Sequence, residues 1–228
     1  APVPPVYFPG AQMSSPDLVS PIPVFTINAP TDLYRCFVIP SGLTQDSYIT
    51  KIEVVPGNRQ VVHHVLICQD TMSTTLSLDS ADPGPGYTWN AGGVGSSTAM
   101  PIFGWVPGSN MYEMPPNFGM KLHANANILV QIHYAAGTFG QMDSTRVLFT
   151  LASGVTREVV MDPFLNHGNS LLNGPLIIPA YSMRTFYGQV LAPANMSVMG
   201  IGAHMHLIGR QVKCYAVDMT GDTIPLLH

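Results

Sequence analysis

The sequence predicts an all-β protein built as two antiparallel jelly-roll-like β-sandwich domains, the second incomplete at its C-terminal end. Three observations lead there. Gly and Pro number 21 each among 228 residues, a density of breakers that a dominantly helical chain does not tolerate. Short β-branched or aromatic runs bounded by Gly, Pro or Asn recur along the chain, as strands do. No long apolar pattern with a 3.6-residue period separates them, so a parallel α/β topology has no crossover helices to use.

Taken in order, residues 1–30 are rich in Pro, Ser and Ala and predict an extended arm on the surface rather than a packed element. Strand runs at 33–39, 49–55, 61–68, 128–134 and 147–151 then define a first sandwich over residues 31–154. Within it, residues 79–110 hold Asp82-Pro-Gly-Pro-Gly and Ala91-Gly-Gly-Val-Gly, the composition of a long functional loop or lid. A boundary is expected near Ser153-Gly154. Further runs at 155–161, 176–178, 185–191, 198–206 and 211–217 predict a second sandwich over residues 155–228. That segment is shorter than the about 100 residues a sandwich commonly takes, hence its incomplete appearance.

Charge narrows the function. Only 10% of residues are charged and the net charge is -4, which supplies neither the basic footprint of a nucleic-acid binder nor a polybasic patch for anionic lipid. A small neutral substrate or another protein is the expected partner. No apolar run approaches the roughly 20 residues that cross a bilayer, and Ala1-Pro-Val-Pro-Pro lacks the basic and apolar regions of a signal peptide. Cys36 and Cys68 are placed to staple two strands of one domain, which would suit a secreted or periplasmic protein; three free thiols, with Cys214, are the alternative. Asn195-Met-Ser is a glycosylation triplet too short to decide anything.

The histidines carry the chemistry. Eight stand beside only nine Lys plus Arg, and five lie inside apolar strand runs. In Ala203-His-Met-His206 a strand would turn His204 and His206 to one face, two imidazoles side by side. In Val61-Val-His-His-Val65 two adjacent imidazoles in an apolar strand need partners to offset desolvation, and a metal is an efficient one. Neighbouring strand residues point to opposite faces, so joint ligation by His63 and His64 requires a strand end, a bulge or the use of different ring nitrogens. His133, in Ile128-Leu-Val-Gln-Ile-His-Tyr134, would complete a three-histidine site suited to zinc or copper. His123 and His167 are expected to be structural or exposed.

Leu33-Tyr-Arg-Cys36, Ile52-Glu-Val, Val62-His-His-Val-Leu-Ile67, Phe103-Gly-Trp105, Pro115 to Gly119, Leu129-Val-Gln-Ile-His-Tyr134 and Ala203-His-Met-His-Leu-Ile-Gly209 occur in that order. Together they resemble the copper type II, ascorbate-dependent monooxygenases, the family of peptidylglycine alpha-hydroxylating monooxygenase and dopamine beta-monooxygenase. The resemblance implies that His63, His64 and His133 bind an electron-transfer copper, with Tyr34 and Gln131 close by. It implies that His204 and His206 bind a second, O₂-activating copper, completed in the family by a downstream methionine. Met219 is the only methionine after His206, and its setting does not match that motif. The few cysteines mark a divergent branch. The implied reaction is hydroxylation of a C–H bond in a small or peptide-like substrate, using O₂ and a one-electron reductant such as ascorbate.

Three other readings use the same residues. A copper-binding or copper-storage protein would keep the fold without turnover. A zinc hydrolase would need a general-base Glu beside the ligands, and none is evident. A carbohydrate-binding or adhesive sandwich would leave the histidines without a metal.

Overall fold

The computed structural model describes residues 11–163, 165–205 and 208–228. They fall into two compact units, residues 1–162 and 163–228. In the first, β1 (Leu18–Pro21), β2 (Phe25–Thr26), β3 (Leu33–Pro40), β4 (Ser47–Val55) and β5 (Val62–Asp70) precede a short helix, α1 (Leu76–Ala81). After it come β6 (Tyr87–Thr88), β7 (Met100–Trp105), β8 (Tyr112–Glu113), β9 (Phe118–Leu122), β10 (Asn127–Tyr134), β11 (Met142–Asp143), β12 (Arg146–Ala152) and β13 (Arg157–Val159).

Two sheets enclose the core. One has the order β1-β12-β4-β9-β13 with β8 also on β4; the other runs β6-β3-β10-β5-β7, and β2 pairs with β11. Ile52 and Phe149 from the first sheet meet Phe37, Ile67 and Ile132 from the second in one buried cluster, the sandwich that alternating strands are built to make. All these pairings are antiparallel except β13 with β9.

Strand β10 explains where the site can form. Every residue in it is buried, because both faces of its sheet are covered. Ile128, Val130, Ile132 and Tyr134 enter the sandwich core, so strand alternation sends Leu129, Gln131 and His133 to the opposite, outer face. There Leu129 joins Cys36, Cys68, Tyr87 and Val94 in a second cluster, with Leu78, Trp89 and Ala99 against it. The chain from α1 to β7 therefore crosses the outer face: β6 is one edge strand of this sheet and β7 the other. The segment expected to be a lid is in part sheet, and it supplies a second small core.

Arg35 fastens this crossing. It is buried to 2% exposure, and each of its five N–H donors meets an acceptor: the Asp82 carboxylate at 2.8 and 2.9 Å, the carbonyls of Pro85 and Gly86, and Thr88 Oγ1.

Several expectations change. Residues 11–30 are not a surface arm, and residues 1–10 lie outside the described residues. β1 pairs with β12, Met13, Ile22, Phe25 and Ile27 are buried, and the Glu53 carboxylate accepts hydrogen bonds from the backbone of Gln12 and Met13, both at 2.7 Å. Proline-rich composition concealed residues that alternate into the core. The first unit extends past Gly154 because β13 adds to β9. Cys36 and Cys68 are free, buried thiols rather than a disulfide. They lie on β3 and β5, with β10 between those strands; two strand spacings come to about 10 Å, beyond disulfide reach. Burial pushes Cys36 up to about 11 and Cys68 up to about 12.

The second unit contains β14 (Cys214–Val217) and β15 (Thr223–Leu227), an antiparallel hairpin, and one bridge between Leu171 and Gly188. Where a second sandwich was expected, the described residues at 176–178, 185–191 and 198–205 form no strand. Ser170 is the one buried residue among those described in this unit. With no facing sheet among the described residues to bury them, alternating apolar runs gain little from extending. Among the described residues, no helix is long and apolar enough to cross a membrane.

Candidate metal centre

The sequence poses a geometric problem at His63 and His64, and a bulge solves it. In the β5–β10 ladder His133 is opposite His64, yet Tyr134 is opposite Val62. One residue, His63, is extra. A bulge sets two residues of one strand against one of its partner and re-aims a side chain, so both histidines can reach the outer face that His133 occupies. The turn leading into it is anchored. Asn58 accepts from the amides of Val61 and Val62 at 3.2 and 3.3 Å, and its own amide donates to Asp143 at 2.9 Å. Asp143 also accepts from the Tyr134 hydroxyl at 2.9 Å and Thr145 Oγ1 at 2.8 Å. Gly57 makes the close approach possible, since a Cβ there would lie 2.5 Å from the Ser144 nitrogen.

The three rings converge through the same atom. His63 Nδ1 is 3.3 Å from His64 Nδ1 and 3.2 Å from His133 Nδ1, and ligating atoms of all three lie within 4.8 Å of one another. A tetrahedral or trigonal ion bound at about 2.0–2.1 Å sets its nitrogen ligands roughly 3.3–3.6 Å apart. The two separations at His63 Nδ1, 3.2 and 3.3 Å, lie at the short end of that edge length. Hydrogen bonding among the rings is a poor substitute: one proton on His63 Nδ1 points along one line, while two nitrogens face it. A cation satisfies every inward lone pair at once.

The surroundings favour inward lone pairs on His133. Its ring is buried, whereas His63 is exposed and His64 half-buried, so the cluster opens toward solvent on the His63 side. Burial holds His133 below the usual imidazole range, against a smaller opposing effect from Asp32. His133 Nε2 lies 3.2 Å from Asp32 Oδ1, and that oxygen also accepts from the Ala136 amide at 3.0 Å. The Ala136 and His133 hydrogen bonds hold the Asp32 carboxyl below its ordinary value. Tyr34 lies flat on the same ring, with centroids 4.2 Å apart and planes 3° from parallel. Asp32 was not among the residues singled out from sequence. Its only signal is a carboxylate just before the Leu33-Tyr-Arg-Cys36 run, and its meaning depends on Leu33 pairing with Tyr134.

Residues 21–138, just over half of the chain, match the family model of the copper type II ascorbate-dependent monooxygenase, N-terminal domain. The chain belongs to this family. No curated protein shows significant similarity to it. The matched span holds all three clustered histidines and ends inside the first unit.

Seen as a copper monooxygenase domain, the other residues singled out from sequence separate clearly. Tyr34 touches the cluster, packing on His133 and lying 6.0 Å, centroid to centroid, from His64. Gln131 shares the outer face, but its amide donates to the Gly93 carbonyl, with the Cys36 thiol 3.6 Å away. It is a latch for the crossing segment. Trp89 Nε1 and the Tyr87 hydroxyl hold the neighbouring carbonyls of Gly92 and Val94. Three donors thus grip three successive carbonyls, a role no sequence motif announced.

His204 is exposed and lies outside any strand; His206, which strand geometry would set beside it, lies outside the described residues. Met219 is fully exposed in the turn between β14 and β15. His123 sits 3.7 Å from Asp46, apart from the cluster.

Proposed function

We propose that His63, His64 and His133 hold a copper ion through their Nδ1 atoms, and that the protein is a monooxygenase that hydroxylates a C–H bond of a small or peptide-like substrate. The observation that carries this reading is that His63 Nδ1, at the bulge of β5, stands at ligand-edge spacing from both His64 Nδ1 and His133 Nδ1, in a chain of the copper monooxygenase family. The reaction consumes O₂ and two electrons, delivered singly by ascorbate or an equivalent reductant, and yields the alcohol and water. Copper at this site supplies a store for one electron at a time.

The chain's own residues give that site its form. The bulge aims His63 and His64 together, burial keeps His133 neutral, and Tyr34 restricts the rotation of its ring. The exposed His63 side leaves the cluster open to a reductant in solution. His204 and His206 are proposed as ligands of a second copper, the one assigned to O₂ chemistry.

A second reading, a copper-binding or copper-storage protein without turnover, is favoured by the exposed, strandless setting of His204. Copper titration combined with ascorbate-dependent oxygen consumption separates the two. The monooxygenase reading expects two coppers per chain and oxygen uptake that a C–H substrate stimulates. Copper binding without stimulated uptake, across a panel of peptide and small-molecule substrates, selects the second reading. No tight copper binding overturns both.

A further inference from the structure

We infer that Asp32 is the positioning residue of the three-histidine cluster: it holds the His133 ring by Nε2, so that Nδ1 faces His63 and His64. This deepens the proposed copper site and rests on that reading for its effect on metal affinity, though the ring orientation itself does not.

The argument begins with the imidazole. A histidine ring flipped about its Cβ–Cγ bond exchanges the side occupied by Nδ1, and a neutral ring carries its proton on either nitrogen. Two choices must therefore be made before His133 can present a lone pair inward. Asp32 makes both. Its Oδ1 already accepts from the Ala136 amide at 3.0 Å, which fixes the carboxylate against the turn that follows β10. The same oxygen faces His133 Nε2 at 3.2 Å. A carboxylate is an acceptor, so the proton of the pair belongs on Nε2, and Nδ1, 3.2 Å from His63 Nδ1, is left with its lone pair.

Register brings the two residues together. Asp32 directly precedes β3, whose first residue Leu33 pairs with Tyr134, and Tyr34 pairs with His133. The two chain neighbours of Leu33 thus bracket one ring: Tyr34 covers its face and Asp32 holds its edge. His63, by contrast, is exposed and His64 half-buried. Asp32 thus gives His133 the pre-set geometry around which the other two rings close. Partners of this kind orient ligating histidines in metal sites, and their loss typically lowers metal affinity about 10–100-fold.

The test uses the full chain and three proteins: wild type, Asp32→Ala and Asp32→Asn. Histidine ring ¹⁵N chemical shifts and two-bond couplings in the metal-free proteins read the His133 tautomer directly. Wild type is expected to show a single Nε2-protonated His133, Asp32→Ala a mixture of tautomers, and Asp32→Asn, whose carbonyl oxygen can still accept, a return toward the single form. Copper competition titrations should show about 10–100-fold weaker binding for Asp32→Ala and partial recovery for Asp32→Asn. Thermal unfolding of the metal-free proteins reports any loss of the Ala136 anchor separately.

If wild type binds no copper, the metal reading fails, while the tautomer spectra still decide the role of Asp32. If wild type and Asp32→Ala bind copper equally and share one His133 tautomer, the positioning role is overturned. A variant destabilised by loss of the anchor yet unchanged in tautomer overturns it as well.

Discussion

Two stretches of this chain place paired histidines among apolar residues, and the fold treats them differently. Val61-Val-His-His-Val65 becomes a bulged central strand whose histidines meet His133. Val198 to Met205, with a cleaner period-two display of His204, forms no strand and stays largely exposed. Local sequence does not separate them. The first has neighbours on both sides, β10 and β7, and a facing sheet that buries its inner residues; the second has none of these among the described residues. A strand is stabilised by what it packs against more than by its own propensity, and a metal site built on strands inherits that dependence.

The largest expected effect tests this contrast at the metal. His133→Ala should weaken copper binding at the cluster by more than about 100-fold, exceeding the loss of an outer partner, while His204→Ala should leave that site's affinity unchanged. Equilibrium dialysis with copper detection checks both. Equal losses would mean that the histidines of the two stretches share one site.

Stability should divide along the same line. Phe149, fully buried between the sheets, should cost about 3–5 kcal/mol as Phe149→Ala, read by urea denaturation. Leu191, 89% exposed in the second unit, should change stability by less than about 0.5 kcal/mol as Leu191→Ala. Gln131→Ala, which leaves the Gly93 carbonyl without its donor, should cost about 1–3 kcal/mol. Because that latch ties down the crossing segment, hydrogen exchange should rise at residues 90–96 more than in β10.

The smallest effect is one of pH. Burial lowers His133 from its usual 6.5, so below pH 6.5 the unfolded chain takes up a proton that the folded one resists. Stability therefore rises with pH through the window beneath 6.5, and the contribution is lost as pH falls toward the depressed folded value. Metal-free His133→Gln should show a shallower slope there in urea titrations at several pH values. An unchanged slope would remove His133 from the cause.

Much of this could be read in advance, for identifiable reasons. Runs such as 128–134 and 147–151 became β10 and β12 because apolar patterning is enforced wherever two sheets close on each other. Alternation already required a strand end, a bulge or different ring nitrogens for His63 and His64 to act together, and the structure supplies the bulge. Residues 11–30 were misread because proline and serine obscure the few apolar residues, among them Ile22, Phe25 and Ile27, that enter the core. The resemblance implied that Gln131 stands close to the three histidines, whereas its amide serves the glycine-rich crossing through the Gly93 carbonyl.

The sequence by itself determined the strand class, the members of the three-histidine cluster and the family, because alternation, residue chemistry and motif order are properties of the chain taken one residue after another. Only the tertiary structure decided that Asp32 meets His133, that Cys36 and Cys68 stand apart with β10 between them, and that His63 is the extra residue of the ladder. Each of these depends on which strands are neighbours and in what register. Register is fixed by the burial of whole faces, an energy that no local run of residues carries alone.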